Sequence, residues 1–168
     1  SALGGFAAFV ESRNGDPLAL LERAGIDPRA LGAPDMLISF ARKGALLENA
    51  ARELGIPALG LEWALAIPPH FPNAGPMLLL KETTATFGEW VERSMGYWRL
   101  QTNAVIPQLA HDREAGVVAI RLSPRWPQPA PRQQMEHILG KIVRLARAAL
   151  PDGELNPVRV RFRHEEPQ

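Results

Sequence analysis

Cysteine is missing from this chain altogether, and tyrosine occurs only once. The missing thiols exclude disulfide staples, thiolate metal ligands and cysteine nucleophiles, and they leave a reducing compartment open to the chain. No apolar run comes near the roughly 18 residues that a membrane span needs. One-sided charge is lacking as well: 19 Lys and Arg against 18 Asp and Glu leave a formal charge of only +1. Such a balance carries no global attraction for nucleic acid or an anionic membrane, so any basic surface has to be local. The opening Ser1-Ala2-Leu3-Gly4-Gly5 has neither an initiator Met nor the basic-then-apolar order of a signal peptide, and it reads as a trimmed end.

What is present is ordinary globular material. The 168 residues, 46% apolar and 22% charged, suffice for one domain with its own core, and neither an internal repeat nor a low-complexity tract interrupts them. Phe6, Ala7 and Val10 share one face of a short helix that Asn14-Gly15 would end. Asp16-Pro17 is an N-cap with proline at the first helical position, and Gly25 is the matching stop. Asp27-Pro28 repeats the start signal for one more turn, to Leu31.

Ser39 would cap a helix from Phe40 to Leu54, with Phe40, Leu47, Ala51 and Leu54 as its core stripe and Gly55 as its stop. A shorter helix is expected from Ala58 to Ala66. The prolines from Pro68 to Pro76 then break regular structure into a loop.

Thr86-Phe87-Gly88-Glu89 carries the capping-box pattern, and Phe87, Trp90, Val91, Ser94 and Trp98 follow at helical spacing. Beyond Asn103 the period drops to about two. A hairpin over about 104–123 is expected, turning at Asp112-Arg113-Glu114-Ala115, with Val118, Ile120 and Leu122 on one face. A second proline-rich loop, from Pro124 to Pro131, contains Trp126. A long helix over about 131–150 follows, whose stripe of Met135, Ile138, Leu139, Ile142, Leu145, Ala146 and Ala149 should face the core. Arg144 and Arg147 suit the negative end of that helix, and Pro151-Asp152-Gly153 ends it.

A last strand over about 157–163 would turn Val158, Val160 and Phe162 inward and Arg159, Arg161 and Arg163 outward. The order of elements is α+β: a helical N-terminal part packed with a small mixed or antiparallel sheet, the final strand returning to the hairpin.

Chemistry is hard to find in these residues. His70, His111, His137 and His164 stand apart, without the spacing of a zinc site, so no metal is expected. Phosphate-binding, dinucleotide and nucleophile-elbow glycine patterns are all missing, and no cofactor is implied. Gly60 reads as a turn glycine, and Asp112 with Glu114 as solvated hairpin residues. No set of nucleophile, base and orienting residue can be named, which argues against an enzyme.

Three features carry a functional reading beside a structural one. Trp90, Tyr97 and Trp98 either line an apolar ligand pocket or belong to the core. Arg161 and Arg163, with Arg159, either hold an anion or are solvated. Arg132, Lys141, Arg144 and Arg147 form either a docking surface for another domain or a solvated helix face.

The runs Gly15-Asp16-Pro17, Leu20-Leu21-Glu22-Arg23-Ala24-Gly25-Ile26-Asp27-Pro28, Leu46 through Gly55 (LLENAARELG) and Ala58-Leu59-Gly60-Leu61 resemble the N-terminal sensing domain of AraC-type bacterial transcriptional regulators, in the branch labelled arabinose-binding-like. Gly75-Pro76 with Leu78-Leu79-Leu80, the Thr86 to Glu89 start, Arg132-Gln133 with Glu136, and Val160 to His164 agree in order. The resemblance spans nearly the whole chain. Two departures accompany it. His164 leads into Glu165-Glu166-Pro167-Gln168 instead of His-Pro-Ala-Pro, and no helix-turn-helix region is present.

The resemblance implies one regulatory domain over 1–168, cut short at its C-terminal end. It would be cytoplasmic and non-enzymatic, would sense a small-molecule effector that need not be arabinose, and would reach DNA only through a missing C-terminal domain. Trp90, Tyr97, Trp98, Arg161 and Arg163 are the expected ligand contacts, no membrane is involved, and a homodimer is compatible. The alternatives are a dimerisation or protein-contact module without a ligand and, more distantly, a small enzyme. The jelly roll of the founding arabinose regulator is not implied, because the helical pattern contradicts it.

Overall fold

A computed structural model describes residues 2–33, 35–68, 79–112, 114–125, 130–149 and 157–164. Most of the two expected proline-rich loops, the helix stop at Pro151-Asp152-Gly153 and the terminal Glu165 to Gln168 lie outside these residues. The described α-helices are α1 (Phe6–Glu11), α2 (Pro17–Arg23), α3 (Phe40–Leu54), α4 (Leu59–Ala66), α5 (Phe87–Tyr97) and α6 (Arg132–Ala149). The strands are β1 (Val105–Asp112) and β2 (Val117–Pro124). The α+β class expected from the sequence is the one observed. Two compact units divide the chain, one formed by residues 1–73 with 130–168 and the other by residues 74–129.

In the first unit the caps at Asp16, Gly25 and Gly55 act as their residue types require, whereas Ser39 occupies the N-cap of α3 without a side-chain capping bond. The Asp16 carboxylate accepts from the backbone N–H groups of Leu18 and Ala19 at 2.9 and 3.1 Å, and Pro17, which has no N–H to leave unpaired, takes the first helical position. Gly25 and Gly55 leave their helices at φ 63° and 64°, a left-handed backbone that a Cβ disfavours. The apolar faces of α1, α2, α3 and α4 meet in one core of Phe6, Val10, Leu20, Leu21, Leu46, Leu47, Leu59 and Trp63. Across α3 and α4 lies the long helix α6.

The long helix does not bury the stripe its sequence suggests. Leu145 and Ala146 are buried, but Met135, Ile138 and Leu139 are only half-buried, and the residues buried in the first two turns are Gln133, Gln134, Glu136 and His137. The cause is the start of α4, whose free backbone groups need partners. Gln133 supplies them: its Oε1 accepts from Gly60 N–H and its Nε2 donates to Pro57 O, both at 2.7 Å. Its own N–H donates to Glu48 Oε1 at 2.8 Å. Gly60 is therefore a packing glycine inside a helix, not a turn residue. A Cβ there would sit 2.0 Å from Gln133 O.

Of the four basic residues of α6, Arg147 is exposed, as a solvated face requires, but the other three are turned to partners or away from water. Arg132 donates to Glu136 Oε1 at 2.8 Å and also to Pro57 O. Arg144 donates to the carbonyls of Ala64, Leu65 and Ile67, capping the end of α4 instead of that of its own helix. Lys141 is desolvated.

In the second unit Thr86 Oγ1 accepts from Glu89 N–H at 3.2 Å, and Glu89 Oε2 accepts from Ala85 N–H at 2.9 Å. The capping box thus forms with its return bond one residue early. A 3₁₀ turn, Trp98–Leu100, extends α5. The hairpin pairs Val105 with Pro124 and Asp112 with Val117, and turns through Gly116 at φ 62°. On its expected inner face Ile120 and Leu122 are half-buried and Val118 is exposed.

The third strand expected over about 157–163 does not form. The sheet of the described residues has two strands, and residues 157–164 carry no ladder. A period of two buries side chains only where a neighbouring strand supplies a face. Without one, Val158 is 87% exposed and Val160 48%. At the end of the segment Phe162 stacks on His164, whose Nε2 lies 3.5 Å from Glu136 Oε1.

Candidate functional site

The densest group of unusual side chains lies where α1, α3, α4 and α6 converge on Trp63. Its indole, 1% exposed, stacks on His137 at 3.9 Å with the planes 14° apart, and Phe6 meets it edge-on at 5.2 Å. The Lys43 ammonium lies 5.1 Å from the ring centroid, a cation–π distance. Each helix contributes for a local reason. Gly60 and Gly140 keep α4 and α6 close enough for the two rings to touch, since a Cβ on Gly140 would lie 2.9 Å from Ala64 Cβ. Lys43 sits in the first turn of α3, next to Gly44 on the side that meets α6.

The electrostatics are those of basic groups gathered away from water. Lys43 is brought from 10.5 down to about 7, first by loss of solvent and then by the charge of Lys141. Lys141 is lowered by the same loss of solvent. Burial holds the His137 imidazole well below its ordinary range, and the charges of Lys43 and Lys141 add to the effect. Its Nδ1 lies 3.3 Å from the Gly60 carbonyl, so the neutral ring carries its proton on Nδ1 and donates there. Among the described residues neither Lys43 nor His137 has a carboxylate partner. Lys43 Nζ donates to Ala2 O at 2.8 Å, while Trp63 Nε1, fully buried, has no hydrogen-bond partner.

The turn of residues 2–5 covers this corner. It presents the Ala2 carbonyl to Lys43 and places Gly5, at φ 76°, with its Cβ direction 4.0 Å from Trp63 Nε1. Beside the corner, Glu136 is buried, with Oε1 engaged by Arg132 and Oε2 lacking a hydrogen-bond partner. At the corner itself, the Trp63 N–H and the Lys43 ammonium can donate to an accepting group. No three-residue His, Asp or Glu group that would hold a metal occurs among the described residues.

The residues singled out from sequence lie elsewhere. Trp90 and Trp98 are buried in the second unit, Trp90 stacked on Phe87 at 5.5 Å and Trp98 donating its indole N–H to Val105 O at 3.0 Å. Tyr97, between them in sequence, is 41% exposed. Arg161 and Arg163 are exposed in the first unit. The structure thus groups Trp90 and Trp98 with the scaffold of one unit and the two arginines with the other. Lys43 and Trp63 were not singled out at all, His137 only as an isolated histidine and Lys141 only as part of a basic face. The one local signal toward them is a glycine inside a helical pattern at position 60, which marks a close approach.

No curated protein matches the chain. The model of one family, described as the arabinose-binding domain of AraC transcription regulators, N-terminal, matches residues 15–168. The chain therefore belongs to that family of N-terminal regulatory domains.

Proposed function

We propose that this chain is the effector-sensing part of an AraC-type regulator, a single regulatory domain built from the two units, which binds a small metabolite and controls an attached DNA-binding domain. The observation that carries this reading is the family match over residues 15–168. A regulatory role instead of catalysis also fits the Trp63 corner, where bases gather without a nucleophile, an acid partner and an orienting group in one array. A cytoplasmic location follows from the role, and among the described residues no helix is long and apolar enough to cross a membrane.

Of the ligand contacts expected from sequence, Tyr97 in the second unit and Arg161 and Arg163 in the first are exposed, and each is proposed as a contact within its own unit only; Trp90 and Trp98 would act by fixing the helix that carries Tyr97. The test is a thermal-shift screen of the chain against a broad library of sugars, organic acids, amino acids and nucleotides. At least one compound should raise the melting temperature in a saturable way, and a screen without any such compound would overturn the reading.

A second reading, a self-associating contact module, draws on the exposed Ile106, Val117 and Val118 of the hairpin. Sedimentation over a range of concentrations tests it. A monomer throughout would remove it, while a dimer with sensing intact would place a homodimer within the first reading.

A further inference from the structure

We infer that the outer edge of β2 receives the same edge of a second copy of this chain, the two β2 strands running antiparallel and joining both hairpins into one four-stranded sheet. The inference rests on the self-association reading above and narrows it to a strand edge and a register.

The ladder fixes which backbone groups of the hairpin are free. Arg125 N–H donates to Ala104 O at 2.8 Å, and these two residues lie one step beyond Val105 and Pro124 in the same register, so they are a hydrogen-bonded pair. Bonded and non-bonded pairs alternate along an antiparallel ladder. Every second pair from there, down to Asp112 with Val117, therefore turns its polar groups inward, and the residues between turn theirs outward. In β2 the outward residues between the turn and Pro124 are Val118, Ile120 and Leu122.

The two edges of the hairpin differ. On β1 the outward Val105 carbonyl is taken by the Trp98 indole at 3.0 Å, and the outward Pro107 has no N–H to offer. Both devices blunt an edge. On β2 the three outward residues each present an N–H and a C=O, none with a partner among the described residues, and neither proline nor lysine interrupts them. A hairpin of two strands is marginal by itself and gains from further strands.

The open edge is complementary to itself. Setting Ile120 opposite Ile120 of the second copy engages all three outward residues of both strands, with Val118 of each facing Leu122 of the other. Val118, 56% exposed in the single chain, is then covered, and the apolar face that β2 shares with Leu109 continues across the junction. Charge selects this register. Arg121, the only charged residue of β2, faces Ala119 of the second copy, whereas a slip that sets Ile120 against Leu122 would bring the two Arg121 side chains face to face. At each end Arg125 of one copy comes to the hairpin turn of the other, where Glu114 stands. Both are exposed and without an ion-pair partner among the described residues.

The experiment follows amide hydrogen exchange of the unaltered chain by NMR over roughly a hundredfold range of concentration, with sedimentation of the same samples. As dimer forms, exchange at Val118, Ile120 and Leu122 should slow by about tenfold or more, while Ala119 and Arg121, already paired with β1, should not change. Since the chain has no cysteine, single thiols report the register. Ile120→Cys should give a disulfide-linked dimer on mild oxidation, and Val118→Cys, which lies opposite Leu122 instead of its own counterpart, should not. Val118→Pro removes an outward N–H without touching the ladder to β1 and should weaken the dimer by about tenfold or more; Ile106→Lys, on the opposite face of the hairpin, should leave it intact.

A dimer in which the three amides exchange as fast as in the monomer, or which Ile106→Lys disrupts and Val118→Pro does not, would overturn the edge and leave self-association standing. Equal cross-linking of the two cysteine variants would overturn the register and the inference with it. Slow exchange at the three amides that persists on dilution would assign the edge to a segment of the same chain, again against the inference. A monomer at every concentration would remove both the edge and the self-association reading.

Discussion

Trp98 and Trp63 are both buried, at 7% and 1% exposure, yet they do opposite things with the same indole. Trp98 donates its N–H to the Val105 carbonyl and thereby ties the end of the aromatic helix to the first strand of the hairpin. Trp63 leaves its N–H without a partner, stacks on a neutral histidine and lies under a lysine ammonium. A satisfied indole is a strut. An unsatisfied one, beside a desolvated lysine, is held by packing alone. Sequence periodicity found the first tryptophan because its neighbours are local, and passed over the second because its neighbours come from three other helices.

The largest expected effect tests the packing beneath Trp63. Gly60→Val puts side-chain carbons against Gln133 O, where even a Cβ would lie at 2.0 Å, and should cost about 3 kcal/mol or more in denaturant unfolding. A loss under about 1 kcal/mol would mean that α4 and α6 do not approach as closely as described.

The tryptophans themselves come next. Trp98→Phe removes a buried hydrogen bond and leaves the Val105 carbonyl unpaired, for a loss of about 2–3 kcal/mol. Trp63→Phe discards an N–H that has no partner, so its loss should be smaller, by about 1 kcal/mol. Equal losses would erase the distinction between the two indoles. Arg144→Met leaves the Ala64, Leu65 and Ile67 carbonyls without their shared donor and should cost about 1–2 kcal/mol. A neutral result would return Arg144 to the solvated face that its sequence first suggested.

Much of the fold was legible, and for an identifiable reason. Asp16-Pro17, Gly25, Gly55, Thr86 with Glu89, and the turn before Val117 act on backbone groups within a few residues, so their types alone announce helix ends and a hairpin. The reading failed where a segment answers to distant groups. Gln133, Glu136 and His137 are drawn inward by the unpaired backbone of α4 and by Trp63, against the apolar stripe of their own helix. Val158 and Val160 alternate like a strand but have no ladder to join. The Trp63 corner was invisible for the same reason: Lys43 and Lys141 are nearly a hundred positions apart, and each looks like a surface lysine until the fold desolvates it.

That desolvation has a defined pH signature. In the unfolded chain Lys43 keeps its proton until about 10.4, whereas in the folded chain it gives it up near 7. Between those values the unfolded state binds more protons, so stability should rise with pH across the window, and Lys43→Met should flatten the rise. His137 acts at lower pH. Its ring resists protonation when folded, so stability should fall as pH drops through about 6.5, where the unfolded histidine takes up a proton.

The most direct single measurement is a side-chain titration of the lysines by NMR in protein carrying ¹³C-labelled lysine. One lysine, assigned as Lys43 by its disappearance in Lys43→Met, should titrate near 7. An ordinary value near 10.4 for Lys43 would contradict the account of the Trp63 corner as a place where the fold strips water from its lysine.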